Sequence, residues 1–163
     1  MSYQDELDEL DEEIRQELRR HRITTTHQSF SNPAEMLSFL RTLPVRKAIK
    51  TLPFSSCLRR LRTHFGVSIE DLAEALTTSL QSLEELESND SILWAQPPYV
   101  AAAVASAFRL HVDAINDLTR NSYTIALVSG RISDSDLADK LMSSWLAEVR
   151  QSLETLGETD LIA

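Results

Sequence analysis

In the first twenty positions the apolar residues Leu7, Leu10, Ile14 and Leu18 fall three or four apart with charge between them, the spacing of one helix face. Residues 1–22 therefore read as an amphipathic helix with a thin apolar stripe. Residues 23–32, ITTTHQSFSN, lose the period and are rich in Thr and Ser, the composition of a linker. Asn32, Pro33 and Glu35 then supply a capping side chain, a first-turn proline and an acid for a helix start, with Met36, Leu37, Leu40 and Leu43 as its buried face. Pro44 and Pro53 bracket VRKAIKTL, a basic connector to which the pattern assigns no element, so residues 33–54 form one helix plus connector.

Short helical patterns follow in series over residues 55–120. Cys57, Leu58, Leu61 and Phe65 share a face, and Gly66 can end that helix in the left-handed region. Ser68 with Asp71 caps the next, which buries Leu72, Ala73 and Leu76. Thr77 and Thr78 interrupt before Ser79 caps a third, holding Leu83 and Leu86. Pro97 and Pro98 open the alanine-rich PPYVAAAVASAFRL, and Val112, Ile115 and Leu118 mark a fifth helix. In residues 121–163 the stretch SYTIALVSGRIS, from Ser122, fits either a helix or a short β segment. A long helix capped by Ser133 or Asp134 comes next, with Leu137, Leu141, Trp145, Val149 and Leu153 as its stripe, widened by Met142, Leu146 and Leu156.

Composition supports an all-α class. The 163 residues include only 3 Gly and 5 Pro, too few for a loop-rich sandwich or a glycine-cradled nucleotide site. With one Cys and 4 scattered His, neither a disulfide framework nor a zinc ligand set is expected. No apolar run approaches a membrane span, and the acidic start is opposite in charge to a secretory leader, so a cytoplasmic protein that meets no membrane is expected. Ser55, Ser56 and Cys57 lack an activating motif, and Glu84 and Glu85 are adjacent and so point about 100° apart on a helix. No metal, cofactor or catalytic set is expected, and the chain does not read as an enzyme.

The net charge of -9 argues against a polyanionic partner until its distribution is considered. Residues 1–17 carry eight acids and one base, residues 18–64 ten bases and one acid, and residues 65–163 sixteen acids and five bases. Such blocks point to an electrostatic partner, or to blocks that pair with one another inside the fold.

Residues 58–89, LRRLRTHFGVSIEDLAEALTTSLQSLEELESN, with 100–118, VAAAVASAFRLHVDAINDL, carry a resemblance. Arg62, Gly66, Ser68, Leu72, Ala73, Leu76, Ser79, Leu83, Leu86 and Glu87 stand, without a gap, where the lambda-repressor/Cro-like, or Xre, family places its helix-turn-helix residues. Over about 60 residues the chain resembles that family. The resemblance implies a five-helix domain with N-terminal and C-terminal helical extensions, acting as a DNA-binding transcriptional regulator, a repressor or an antitoxin. It implies that Ser79, Gln81, Ser82 and Glu85 face base edges of double-stranded DNA, and that Arg59, Arg60, Arg62, Lys47 and Lys50 reach phosphate. The sequence departs from the family at Ile69, where a Gln is usual, and at Glu84 and Glu85 on the recognition helix. Ile69, Leu80, Glu84 and Trp145 support the alternative: a protein-interaction module, such as an inhibitor, antitoxin or adaptor, that has kept the scaffold without DNA readout. Its partner would be a toxin or the product of a neighbouring gene, with the C-terminal helix available to pair two copies.

Overall fold

A computed structural model describes residues 3–20, 32–88 and 92–163, with side chains from Gln4 to Gln16 in the first segment. The expected linker, Asn32 apart, and the side chain of Leu18 lie outside the described residues. Among these the chain is all-helical: α1 (Tyr3–Arg20), α2 (Pro33–Leu40), α3 (Phe54–His64), α4 (Ile69–Leu76), α5 (Leu80–Leu86), α6 (Pro98–Phe108), α7 (Val112–Val128) and α8 (Ser135–Thr155). Short 3-10 turns cover Leu93–Ala95 and Thr159–Leu161.

Local chemistry sets the helix starts. The side chains of Asn32, Ser68, Ser79 and Asp134 accept from the backbone N–H three residues on, each satisfying one of the donors that a helix N-terminus leaves without a partner. Gly66 takes a φ of 66° and turns the chain from α3 toward α4. Between α4 and α5 the same left-handed conformation falls on Thr77, at φ 54°. A β-branched residue is strained there, because its Cβ crowds the following carbonyl.

The core gathers residues from every helix. Phe54, Leu61, Phe65, Leu72, Leu83, Leu86, Val100, Phe108 and Ile115 are all at most 2% exposed. Ala101, Ala102, Ala105 and Ala107 of α6 are buried, and their small side chains let α8 lie close along α6. Both ends of that pairing are pinned: Trp145 Nε1 donates to the Gln96 carbonyl at 2.8 Å, and the Ser106 hydroxyl donates to Glu158 at 2.7 Å. Residues 121–128 continue α7 as helix, which decides between the two states their pattern allowed.

On α8 the buried stripe differs from the expected one. Ala138, Met142, Trp145, Val149 and Leu153 face inward, whereas Leu137, Leu141 and Leu156 are more than half exposed. Ala138 and Met142 place the inward face about 100° from Leu137 and Leu141, because adjacent helical positions differ by that angle.

The connector between α2 and α3 is extended, and much of its bonding comes from side chains of other elements. Arg46 exchanges backbone hydrogen bonds with the corner between α6 and α7, donating to the Arg109 carbonyl and accepting from His111 N–H. Asp117 accepts from the N–H of Ile49, and Asn121 donates to the carbonyls of Lys50 and Leu52. Glu6, only 6% exposed, reaches across from α1 to accept from Lys50, Thr51 and Leu52, each at 2.7 Å. The carboxylate thus supplies partners for three consecutive backbone donors that no strand satisfies.

Candidate functional site

The residues expected to meet DNA divide between two places. Those expected on phosphate lie on α3 and the connector, and only the arginines among them have side-chain contacts within the chain. Arg62 grips Glu87 in a two-pronged pair, Nε to Oε1 at 2.7 Å and Nη2 to Oε2 at 3.2 Å, while its Nη1 donates to the Val67 carbonyl at 3.1 Å. Side-chain exposure is 20% for Arg62 and 10% for Glu87, so the pair is a joint between α3 and the end of α5. Arg59 donates to the backbone carbonyl of Glu87 and strengthens the same joint. Arg60 turns the other way, to Asp11 of α1 at 3.5 Å. His64 Nε2 lies 2.9 Å from the same carboxylate, and Arg46 meets Glu13 at 2.7 Å. Lys47 and Lys50 are exposed on the connector, beside α1 and away from the surface of α5.

The residues expected at base edges sit together on α5. Ser79 caps the helix, and its hydroxyl also donates to Ser82 Oγ at 2.8 Å, so the Ser79 proton is already engaged within the helix start. Gln81 Nε2 reaches Glu85 Oε1 at 3.4 Å along the helix. Glu84 is exposed and Glu85 half-buried. Leu80, at the first helical position, is 37% exposed, whereas Ile69 is half-buried against the core. Glu70, Asp71 and Glu74 of α4 are exposed as well. None of residues 65–108 is Lys, Arg or His, so the α4–α5 surface contains acids and hydroxyls around an exposed leucine, with no cation from its own helices. Trp145, expected at an interface, is 3% exposed and bonded to Gln96, inside the chain.

Three acids that hold the fold were not singled out by residue-level reading: Glu6, Asp11 and Glu13. The signal for them was the alternation of charge blocks, which allows the blocks to pair. The other candidates carry no chemistry of catalytic type. Burial pushes the Cys57 thiol from its ordinary value of 9.0 up to about 12, against a smaller opposing pull from Arg46, so it stays protonated at neutral pH. His111 is buried and caps α7, with Nδ1 accepting from Asp113 N–H at 3.0 Å and Nε2 against the Ala163 carbonyl at 3.2 Å. Among the described residues no cluster of His, Cys, Asp and Glu could hold a metal ion, and no helix is long and apolar enough to cross a membrane.

No protein-family model, no curated protein and no solved structure matches this chain. Its function must therefore be argued from these surfaces.

Proposed function

We propose that this chain is a protein-interaction module on a helix-turn-helix scaffold of the lambda-repressor/Cro-like type, with the α4–α5 surface as its contact face. Support for the scaffold comes from the capped pair α4 and α5, the tight turn between them, and the Arg62–Glu87 pair joining α3 to α5. One observation carries the choice of partner. Arg62 is committed to Glu87, Arg59 and Arg60 each make a contact within the chain, and the exposed Lys47 and Lys50 lie on the connector, while the surface that would enter a groove holds Glu70, Asp71, Glu74, Glu84 and Glu85. Binding to duplex DNA is driven largely by release of counterions as cations neutralise phosphates, and each carboxylate beside the backbone opposes it. An exposed Leu80 on helices whose outward acids have no cation among them instead suits a protein surface that offers an apolar pocket with a cationic rim. The module acts as an inhibitor, antitoxin or adaptor by occupying such a surface, and it does no catalysis.

Co-purification with the product of the adjacent gene tests this reading. The partner is retained by the wild-type chain and lost from Leu80→Glu and from Glu84→Lys, with helicity unchanged. Retention after both substitutions would remove the α4–α5 surface as the interface.

A further inference from the structure

The groove between α7 and α8 sets unengaged polar side chains above an apolar floor. The two helices join through residues 129–134 and run antiparallel, so Arg120, eight residues before the end of α7, lies level with Ser143, eight residues after the start of α8. The groove encloses about 270 Å³, with Val112, Ile115, Leu146 and Val149 as its apolar part. Ile115 and Val149 are each 1% exposed and Val112 7%, so the floor belongs to the core. Asn116 and Arg120 fall four positions apart on one face of α7 and line the groove with Ser143. Neither the Asn116 nor the Arg120 side chain makes a hydrogen bond or ion pair among the described residues. Among those residues no acid lines the groove, although residues 65–163 carry sixteen. Arg150 lies at the Val112 end. It already meets Glu154 at 3.6 Å, so its charge is shared and its aliphatic stem is what it offers the groove.

We propose that this groove binds a small carboxylate with an apolar tail. Arg120 takes the carboxylate in its planar fork, and the Asn116 amide and Ser143 hydroxyl donate the further hydrogen bonds that a carboxylate accepts. The tail lies along Ile115, Leu146 and Val149. Charge selects the head group: a cation and neutral donors with no acid beside them favour an anion and reject an amine. Size selects the class of ligand. Pockets for drug-sized ligands enclose roughly 300–1,000 Å³, and this one falls just below that range, which suits a small molecule rather than a partner helix about 10 Å across. The α4–α5 surface is built from other helices, so either assignment can fail without the other.

The test titrates octanoate into the full chain by calorimetry and follows backbone amide shifts by NMR. Wild type binds a single octanoate, with shifts confined to residues 112–120 and 143–150. The alcohol 1-octanol binds about tenfold or more weaker, because it leaves the guanidinium without a charged partner, and octylamine does not bind. Arg120→Gln weakens octanoate by about tenfold or more, and Ala147→Trp, which fills the groove from its exposed rim, abolishes binding. Arg150→Gln weakens it less than about threefold, since that charge is already shared with Glu154. Circular dichroism confirms that each variant is folded. No saturable binding to wild type, equal affinity for 1-octanol, shifts centred elsewhere, or undiminished binding in folded Arg120→Gln or Ala147→Trp would overturn the proposal. A loss from Arg150→Gln as large as that from Arg120→Gln would overturn the placement of the head group. Tighter binding of octyl phosphate than of octanoate would make the ligand a phosphate ester and overturn it too.

Discussion

The seams of α1 with α3 and with the α2–α3 connector, and the surface of α4–α5, carry charge in opposite ways. Along the seams, acids meet bases: Asp11 with Arg60 and His64, Glu13 with Arg46, and Glu6 with a row of backbone donors. On the surface, Glu70, Asp71, Glu74 and Glu84 face outward from helices that contain no cation. The difference teaches that the net charge of -9 is not one property of this chain. Part of it is neutralised in building the fold, and part is presented to whatever binds.

Substitutions on either region test that contrast. Glu87→Ala should be the most damaging, because it strands a largely buried guanidinium at the α3–α5 joint; a loss of about 3–5 kcal/mol in chemical denaturation is expected. A loss near zero would mean that the joint is held by packing alone. Glu6→Ala leaves three backbone donors without their acceptor and should cost about 3 kcal/mol by the same measurement, with faster amide exchange at Lys50, Thr51 and Leu52. Unchanged exchange there would show that water replaces the carboxylate at no cost.

Thr77→Gly should raise stability by about 1 kcal/mol, since glycine adopts the left-handed turn without steric penalty and the strain relieved exceeds the entropy added to the unfolded chain. A drop in melting temperature would contradict the strain assigned to φ 54°. On the presented surface, Glu84→Gln should change stability by less than about 0.5 kcal/mol while weakening partner binding, because an exposed carboxylate without an ion pair contributes little to the fold. A large stability change there would mean that this acid belongs to the frame as well.

The local features of this architecture were legible in the sequence. Asn32, Ser68, Ser79 and Asp134 act within one helical turn, so their chemistry can be read without the fold. On α8 the large side chains of Leu137 and Leu141 dominated the pattern, whereas Ala138, a small residue, marks the buried side. Burial depends on what approaches, and α6 approaches that side. The seam of α1 was harder still. Glu13 and Arg46 are 33 residues apart, and Glu6 lies 44 to 46 residues from the donors it satisfies. Charge blocks showed that pairing was available, but not which residues would meet. Arg62 and Glu87 were both singled out through the resemblance, yet Arg62 was expected on phosphate. The geometry turns it inward, because the buried carboxylate offers two oxygens to its planar fork.

On the reading proposed for this chain, the α4–α5 surface addresses protein and does not read DNA. This is tested most directly by a salt series of anisotropy measurements on the wild-type chain, comparing duplexes from upstream of its own gene with scrambled controls. The account predicts no preference between them at any salt concentration. Tight binding that favours the upstream duplex, weakens steeply with salt and is lost on Gln81→Ala would contradict it.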